Sequence, residues 1–546
     1  MGRICLFAAA ILCGASACSN ESASAERGTA VIVTGERATS LAPVLPATRR
    51  TADQEASDLV FLRLAGLRPD GRTAGDDGFE PQLARSWNRR DSLTLAFELD
   101  PRARWHDGTP VTAHDVTFTF ALARDSTFSP ALSGLLRHVR SVTAETDHRV
   151  VIAFDQSYPE QLYDAAFHVQ PLPAHLLERM TPEAMRTSAF VQQPVGDGPY
   201  RLVRESPELM ELAAVDSFFL GRPGIGRVIF RVASDPDARI NLLLSGEADA
   251  LAAVVPPLAN ESRLTKDSAL RLVAVPSASI AYLLFNQRDP ADTSRPHPIL
   301  SDSAVRRAIV RALDRPSMVR AVFGTYARVP YGPVSQQLWI GDGSPPPVTR
   351  DLDGARKLLA DAGWTDADGD GIVEKHGRPL RLGINVPAPS ASRRQMALQV
   401  QEQLRQAGIA IDLVVLEGPA HGQRRNQGAF DIDFSGATQD PTPAGLTQSW
   451  SCRGGSNVAH YCDPAVDSLV DRAAVATTGA ADLWHAALRR IEDDAPAVFM
   501  YAPTTVVAIS SRFDHVDIRP GSSWITLWRW TVKPGRAIAR DRVSGS

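Results

Sequence analysis

The stretch "RWHDGTPVTAHDV", residues 104–116, holds two histidine–aspartate pairs, His106-Asp107 and His114-Asp115, close together in the chain. Neutral imidazoles and carboxylates are ligands for divalent metals, and a bound metal can activate water, so in isolation the stretch reads as part of a metallohydrolase. A local reading competes with that one. Asp107-Gly108 is a turn dipeptide after the apolar run 93–99, in which Leu93, Leu95, Phe97 and Leu99 share one face. Thr112 and Asp115 then have the spacing of a capping box, opening a helix buried through Val116 and Phe120. His106 and His114 are left without an assigned partner. The structural reading is preferred, and the rest of the chain has to supply the function.

With 546 residues, 44% of them hydrophobic and 22% charged, the chain exceeds what one core organises, so two or more lobes are expected. The formal net charge is -4 with no long basic tract, which argues against nucleic acid as a partner. Arg3, the short apolar run 4–12 and the small residues Gly14 to Ala17 read as an export signal. Cys18 follows them directly, and residues 19–26 are a polar tether. The arrangement resembles a bacterial lipoprotein signal in which Cys18 carries lipid, although Ala15 stands where leucine is usual. With Cys5 and Cys13 removed and Cys18 lipidated, Cys452 and Cys462 remain, and in an oxidising compartment they are expected to form a disulfide. Zinc with His460 is the rival, without the spacing of a zinc signature.

Short strands at 29–35, 93–99, 149–154, 226–232, 281–286, 380–386 and 409–416 alternate with helices, which is mixed α/β material. One helix is expected from Ser301 with Val305, Ala308, Ile309 and Ala312 inward. A second, with Leu352, Ala355, Leu358 and Leu359 inward, stops at Gly363, and a third runs from about Ser390 to Gly408. Residues 366–377, "DADGDGIVEKHG", imitate a calcium loop through Asp366, Asp368 and Asp370. Gly377 stands where the closing glutamate belongs, so a solvated acidic turn is preferred and no metal ligand is assigned. There is no G-x-S-x-G, no H-E-x-x-H and no Walker loop, so no catalytic residue and no cofactor are assigned.

Taken in order, "FEPQLARSW" (79–87), "RWHDGTPVTAHDVTFTF" (104–120), "PVGDGPYRL" (194–202), "LLLSGEADAL" (242–251), "YLLFN" (282–286), "DSAVRRAIVRALDR" (302–315), "ARKLLADAGWTDADGDG" (355–371) and "GSNVAHYCDPAVDSLV" (455–470) resemble the large peptide, dipeptide and nickel binding family of ABC-importer solute-binding proteins, family 5. The co-linear order makes the resemblance specific. It implies an α/β, bilobal periplasmic-binding-protein type II fold with an extra domain inserted in the first lobe. Signal and tether would occupy 1–26, lobe I 27–48, 195–285 and 500–546, the insertion 49–194 and lobe II 286–499. The hinge crossings would fall near 284–286 and 499–501.

On this resemblance the protein is not an enzyme. It captures a small solute, foremost an oligopeptide or dipeptide, between hinged lobes and delivers it to an ABC permease with its ATPase, as a monomer lipid-anchored in the periplasm or cell envelope. A nickel chelate, a sugar or another solute on the same fold is the second reading, and the metallohydrolase is the third. Family members carry an aspartate about nine residues after a Phe-Asp strand start. Phe430-Asp431 places Asp440 there as a candidate anchor for a peptide amine, with Thr438 and Gln439 offering backbone groups. Ala437 stands where a tryptophan is frequent. Trp450, Tyr461 and Trp524 are candidate cleft aromatics, and Arg453 is a candidate for a ligand carboxylate.

Overall fold

The computed structural model describes residues 27–44, 51–254, 258–341 and 346–542. The signal and tether, with Cys18, lie outside the described residues. A single strand, Ala497–Ser510, organises the main sheet because it is long enough to serve two sets of partners. Its first half pairs antiparallel with Ser279–Phe285, from Leu284 opposite Ala497 to Ala281 opposite Tyr501. Its second half pairs with Leu270–Pro276, from Pro276 opposite Thr504 to Leu270 opposite Ser510. The partner strands are consecutive in the chain, so 277–278 and 502–503 are where both change company.

On one side of that change lie Ile432–Thr438, Arg381–Pro387 and Ala410–Leu416, the last two parallel. On the other lie Ala250–Leu251, Gly28–Thr34, Ile225–Val232, Leu209–Ala214 and Tyr200–Glu205. Residues 286 onward were expected to begin the second lobe, but Ser279–Phe285 already pairs along its whole length with Ile432–Thr438 of that side. Periodicity identifies such a strand and is silent about its neighbours.

The segment 51–194 carries its own antiparallel sheet in the order Ala84–Asp91, Thr94–Leu99, Arg149–Phe154, Val139–Thr146. Leu95, Phe97 and Leu99 face inward as the alternation predicts, while Leu93, one residue before the strand, is 36% exposed. One continuous apolar core joins this segment to the first part of the main sheet, with Leu59, Phe97, Val116 and Phe120 in the same cluster as Ile32, Leu212, Trp524 and Trp530. Each such side chain, fully buried, contributes about 1.5–3 kcal/mol. The other half of the sheet has separate cores, one with Leu283, Ile309, Leu359, Val400 and Phe434, another with Tyr282, Trp450, Tyr461 and Phe499.

The helix expected from Ser301 is Ser303–Ala312, capped by Asp302, whose carboxylate accepts from the Ala304 amide. A carboxylate is as good an acceptor at this position as a hydroxyl. Leu352–Asp361 and Ala391–Gln406 follow the expected pattern, with Gly363 (φ +84°) and Gly408 (φ +84°) in the left-handed turn that ends each.

Candidate functional site

The stretch 104–116 folds as a tight turn and a helix cap. Gly108 takes φ +90°, and the Trp105 amide donates to the Thr109 carbonyl at 2.8 Å. The Asp115 carboxylate accepts from the Thr112 amide (2.8 Å) at the start of Ala113–Arg124, and its other oxygen accepts from the Ala174 amide (2.9 Å). His106 Nδ1 accepts from the Gly196 amide (3.2 Å), so its Nε2–H donates to the Gly198 carbonyl (3.0 Å). Both ring nitrogens are spent on backbone. Desolvation lowers the pKa of this imidazole to about 4, which keeps it neutral.

His114 pairs with Glu178 (2.7 Å) and Asp107 with His175 (2.7 Å), both near the surface. Neither histidine of the stretch meets a common metal position. Among the described residues, the cluster able to hold an ion is instead Asp366, Asp368 and Glu374, with ligand atoms within 4.8 Å of one another. Glu374 is a member the sequence reading did not pick out. Asp366 already accepts from the Gly369 and Gly371 amides (2.8 and 3.1 Å), as a solvated acidic turn requires.

Asp440 lies two residues past the end of Ile432–Thr438, beside the change of strand partners. Thr438 is paired with Ser279, and the Gln439 amide donates to the Ala278 carbonyl (2.9 Å). The Gln439 side chain accepts from the Ser335 amide (2.9 Å) and donates to the Pro333 carbonyl (2.8 Å), which fixes the loop from which the next residue projects. Asp440 is half-buried and accepts a hydrogen bond from the Tyr163 hydroxyl at 2.6 Å. Tyr163 belongs to Gln161–Ala166 of the inserted segment, so this bond crosses from one side of the molecule to the other. Thr73 makes a second crossing, donating to the Pro441 carbonyl at 3.1 Å.

Behind Tyr163, Asp164 accepts from the Tyr158 hydroxyl (2.8 Å) and pairs with His168 (3.2 Å). Burial pulls the His168 pKa down, but the hydrogen bond to Asp164 and the charges of Asp440 and Asp164 outweigh it and leave the imidazole raised. Burial and the Asp164 charge lift Glu160 to about 7. None of Tyr163, Asp164 or His168 was singled out in the sequence. The spacing of Asp164 and His168, four apart in the chain, was the signal available for that pair.

The remaining sequence candidates sit elsewhere. Trp450 is 4% exposed and packs at a steep angle against Tyr282 and Phe499, ring centroids 5.6 and 5.3 Å away. Tyr461 is 3% exposed and donates to Asp494 at 3.0 Å. Trp524 has no accessible surface and meets Trp530 edge-on. Arg453 is exposed and paired with Asp471 at 2.8 Å. Cys452 and Cys462 are bonded to each other, closing the loop that carries His460.

Two halves of one sheet joined at 277–278 and at 502–503, with Tyr163 and Thr73 of the inserted segment reaching Asp440 and Pro441 of the second half, are the architecture of a two-lobed protein. The chain matches the family model described as bacterial extracellular solute-binding proteins, family 5, over residues 78–457, and it belongs to that family. Members are binding components of ABC transport systems and perform no bond chemistry. The chain is 24% identical to the "Oligopeptide-binding protein AppA" of Bacillus subtilis over 459 residues, covering 82% of each. The solved structure of AppA with a nonapeptide superposes with a TM-score of 0.73 at 23% identity, over 93% of this chain and 99% of that one. NikZ from Campylobacter jejuni, in complex with Ni(L-His), gives a TM-score of 0.74 at 22% identity, over 92% and 99%. These likenesses establish the α/β type II fold.

Proposed function

We propose that the protein captures peptides, with Asp440 as the acceptor for the α-ammonium group. The observation that carries this reading is the Asp440 carboxylate itself, half-buried, held beside the strand crossing by a fixed loop, and reached by the Tyr163 hydroxyl of the inserted segment. A carboxylate in that setting favours an ammonium group through charge-assisted hydrogen bonds, and neighbouring backbone groups hold an extended chain without regard to its side chains. The peptide bound by AppA supports the class of ligand. Closure follows because a ligand touching both sides stabilises only the closed form.

The change of strand partners supports drawing the two crossings at 277–278 and 502–503. Among the described residues, lobe I is then drawn from 27–44, 195–276 and 504–542, the inserted domain from 51–194, and lobe II from 279–501. A monomer of this form, lipid-anchored through Cys18, would present the closed state to its permease; incorporation of a labelled fatty acid that is lost in Cys18→Ser checks the anchor.

Asp440→Asn is expected to weaken dialanine and longer alanine peptides about 100-fold, near 3 kcal/mol for a charged partner removed from a partly buried pair. Isothermal titration reads this directly. Unchanged peptide affinity in the variant overturns the anchor, and binding of nickel–histidine in place of every peptide overturns the ligand class.

A further inference from the structure

The strand Gly28–Thr34 begins at one corner of the first lobe, and the C-terminal segment 533–542 is bound against its opening residues. The Asp541 carboxylate accepts from the Thr29 amide (2.7 Å), the Ile538 amide (2.8 Å) and Arg512 (2.8 Å), and the Thr29 hydroxyl donates to the Arg540 carbonyl (3.0 Å). Arg540 in turn donates to the Gly246 carbonyl (2.7 Å) and to Asp249 (2.6 Å). Asp541 and Asp249 are 2% and 1% exposed, so buried charge pairs tie the segment down.

What these bonds leave outside is basic. Residues 529–542 hold five cations, Arg529, Lys533, Arg536, Arg540 and Arg542, and one acid, the buried Asp541, in a chain of formal net charge -4. Arg536 and Arg542 are exposed, and neither side chain has an ion-pair or hydrogen-bond partner among the described residues. Lys533 stands 3.8 Å from Asp514, too far for a hydrogen bond. Between Arg536 and Arg540 lie Ala537, Ile538 and Ala539, all exposed, Ile538 at 37%. The acids flanking these contacts are already matched, Asp216 to Arg27 and Arg222, and Glu247 to Arg231. Fixed basic side chains with an apolar residue among them are complementary to a layer of anionic headgroups.

The path of the chain selects that partner. Cys18 lies nine positions before Arg27, where the strand is entered, a reach of at most about 30 Å. With lipid on Cys18, the corner formed by 27–29 and 533–542 is held within that distance of the bilayer. We infer that the segment 533–542 is a docking surface for anionic phospholipid, on which Lys533, Arg536 and Arg542 meet headgroup phosphates and Ile538 rests among them. Each cation near such a surface strengthens binding about 5-fold, and salt screens it. So weak a contact suffices in an anchored molecule, because it forms at high effective concentration. The first lobe is thereby oriented on the membrane, and the second is left free to swing.

This surface depends on the lipid anchor proposed above, and the test separates the two. Lipidated protein is reconstituted in vesicles of phosphatidylglycerol with phosphatidylethanolamine, or of phosphatidylcholine alone, and amide exchange of 533–542 is followed by mass spectrometry. At low salt the segment is expected to exchange about 10-fold more slowly on the anionic vesicles, and the difference to vanish in Arg536→Ser/Arg542→Ser and at high salt. Mature protein carrying Cys18→Ser, which bears no lipid, is expected to float with the anionic vesicles at low salt, and the double variant made on it to bind about 30-fold more weakly. Equal exchange on both vesicle types, a difference that survives in the double variant, or no flotation of the unlipidated protein overturns the docking surface. Protection that requires an added permease overturns it too and assigns the cations to an acidic protein partner. Absence of lipid on Cys18 overturns the anchor and leaves flotation to decide the surface.

Discussion

Against the first lobe the inserted domain is joined by a shared apolar core and by His106, clamped through both ring nitrogens to Gly196 and Gly198. Against the second lobe it is touched by hydrogen bonds such as Tyr163–Asp440 and Thr73–Pro441, and a concavity of about 890 Å³ lies between the two, with Tyr158 and Trp339 in its lining. The contrast follows from what each seam loses on separation. Parting the first exposes large apolar side chains at about 25 cal/mol per Å². Parting the second exchanges a few protein hydrogen bonds for bonds to water, about 0.5–1.5 kcal/mol each. One seam is therefore part of a rigid body, and the other is where a ligand can bias an opening.

The largest effect is expected from an intrusion into the rigid seam. A Cβ at Gly196 would lie 2.0 Å from the Val60 carbonyl oxygen, and backbone does not yield as a flexible side chain does. Gly196→Ala should cost at least about 3 kcal/mol in denaturant unfolding; a loss below about 1 kcal/mol would show that the seam has slack.

The pH dependence of the same seam comes next. The His106 pKa is lowered in the folded protein to about 4, below the ordinary value of 6.5, by loss of hydration. Its contribution is thus fully present above about pH 6.5 and is lost as pH falls toward 4, where the unfolded chain takes up the proton first. Wild type should lose about 2–3 kcal/mol more than His106→Gln over that interval. Burial raises Asp197 in the same seam to about 7, with a slope of the opposite sign that both proteins share and the difference removes. Parallel pH profiles would contradict the assignment of a neutral His106.

The smallest effect belongs to the seam that opens. Tyr163→Phe deletes the hydroxyl that reaches Asp440, and folding stability should change by about 1 kcal/mol or less. Without ligand, small-angle scattering should show a shift to a larger radius of gyration, and a profile identical to wild type would mean that this bond does not hold the lobes together.

How much was legible follows the same division. Turn and cap in 104–116 were readable because Gly108, Thr112 and Asp115 act on backbone a few residues away. The partners of His106 lie some ninety positions downstream, so local spacing left it without a role. Asp440 was nominated by its distance from Phe430-Asp431, and no signal paired Tyr163, 277 positions earlier, with it. Trp450, Tyr461 and Trp524 illustrate the limit of residue type. An aromatic ring serves a core and a cleft equally well in composition, and their surroundings in the fold left each of them almost no exposed surface.

By itself the sequence determined the elements, their caps and turns, and through the co-linear order of its motifs the family and its two-lobed architecture, because these are recorded in short-range patterns. Only the tertiary structure decided which strands the crossing runs beside, which face of each aromatic is covered, and that the inserted domain is fused to one lobe and merely touches the other. Those are outcomes of contacts between residues hundreds of positions apart, where burial and hydrogen-bond satisfaction are settled jointly and no local signal precedes them.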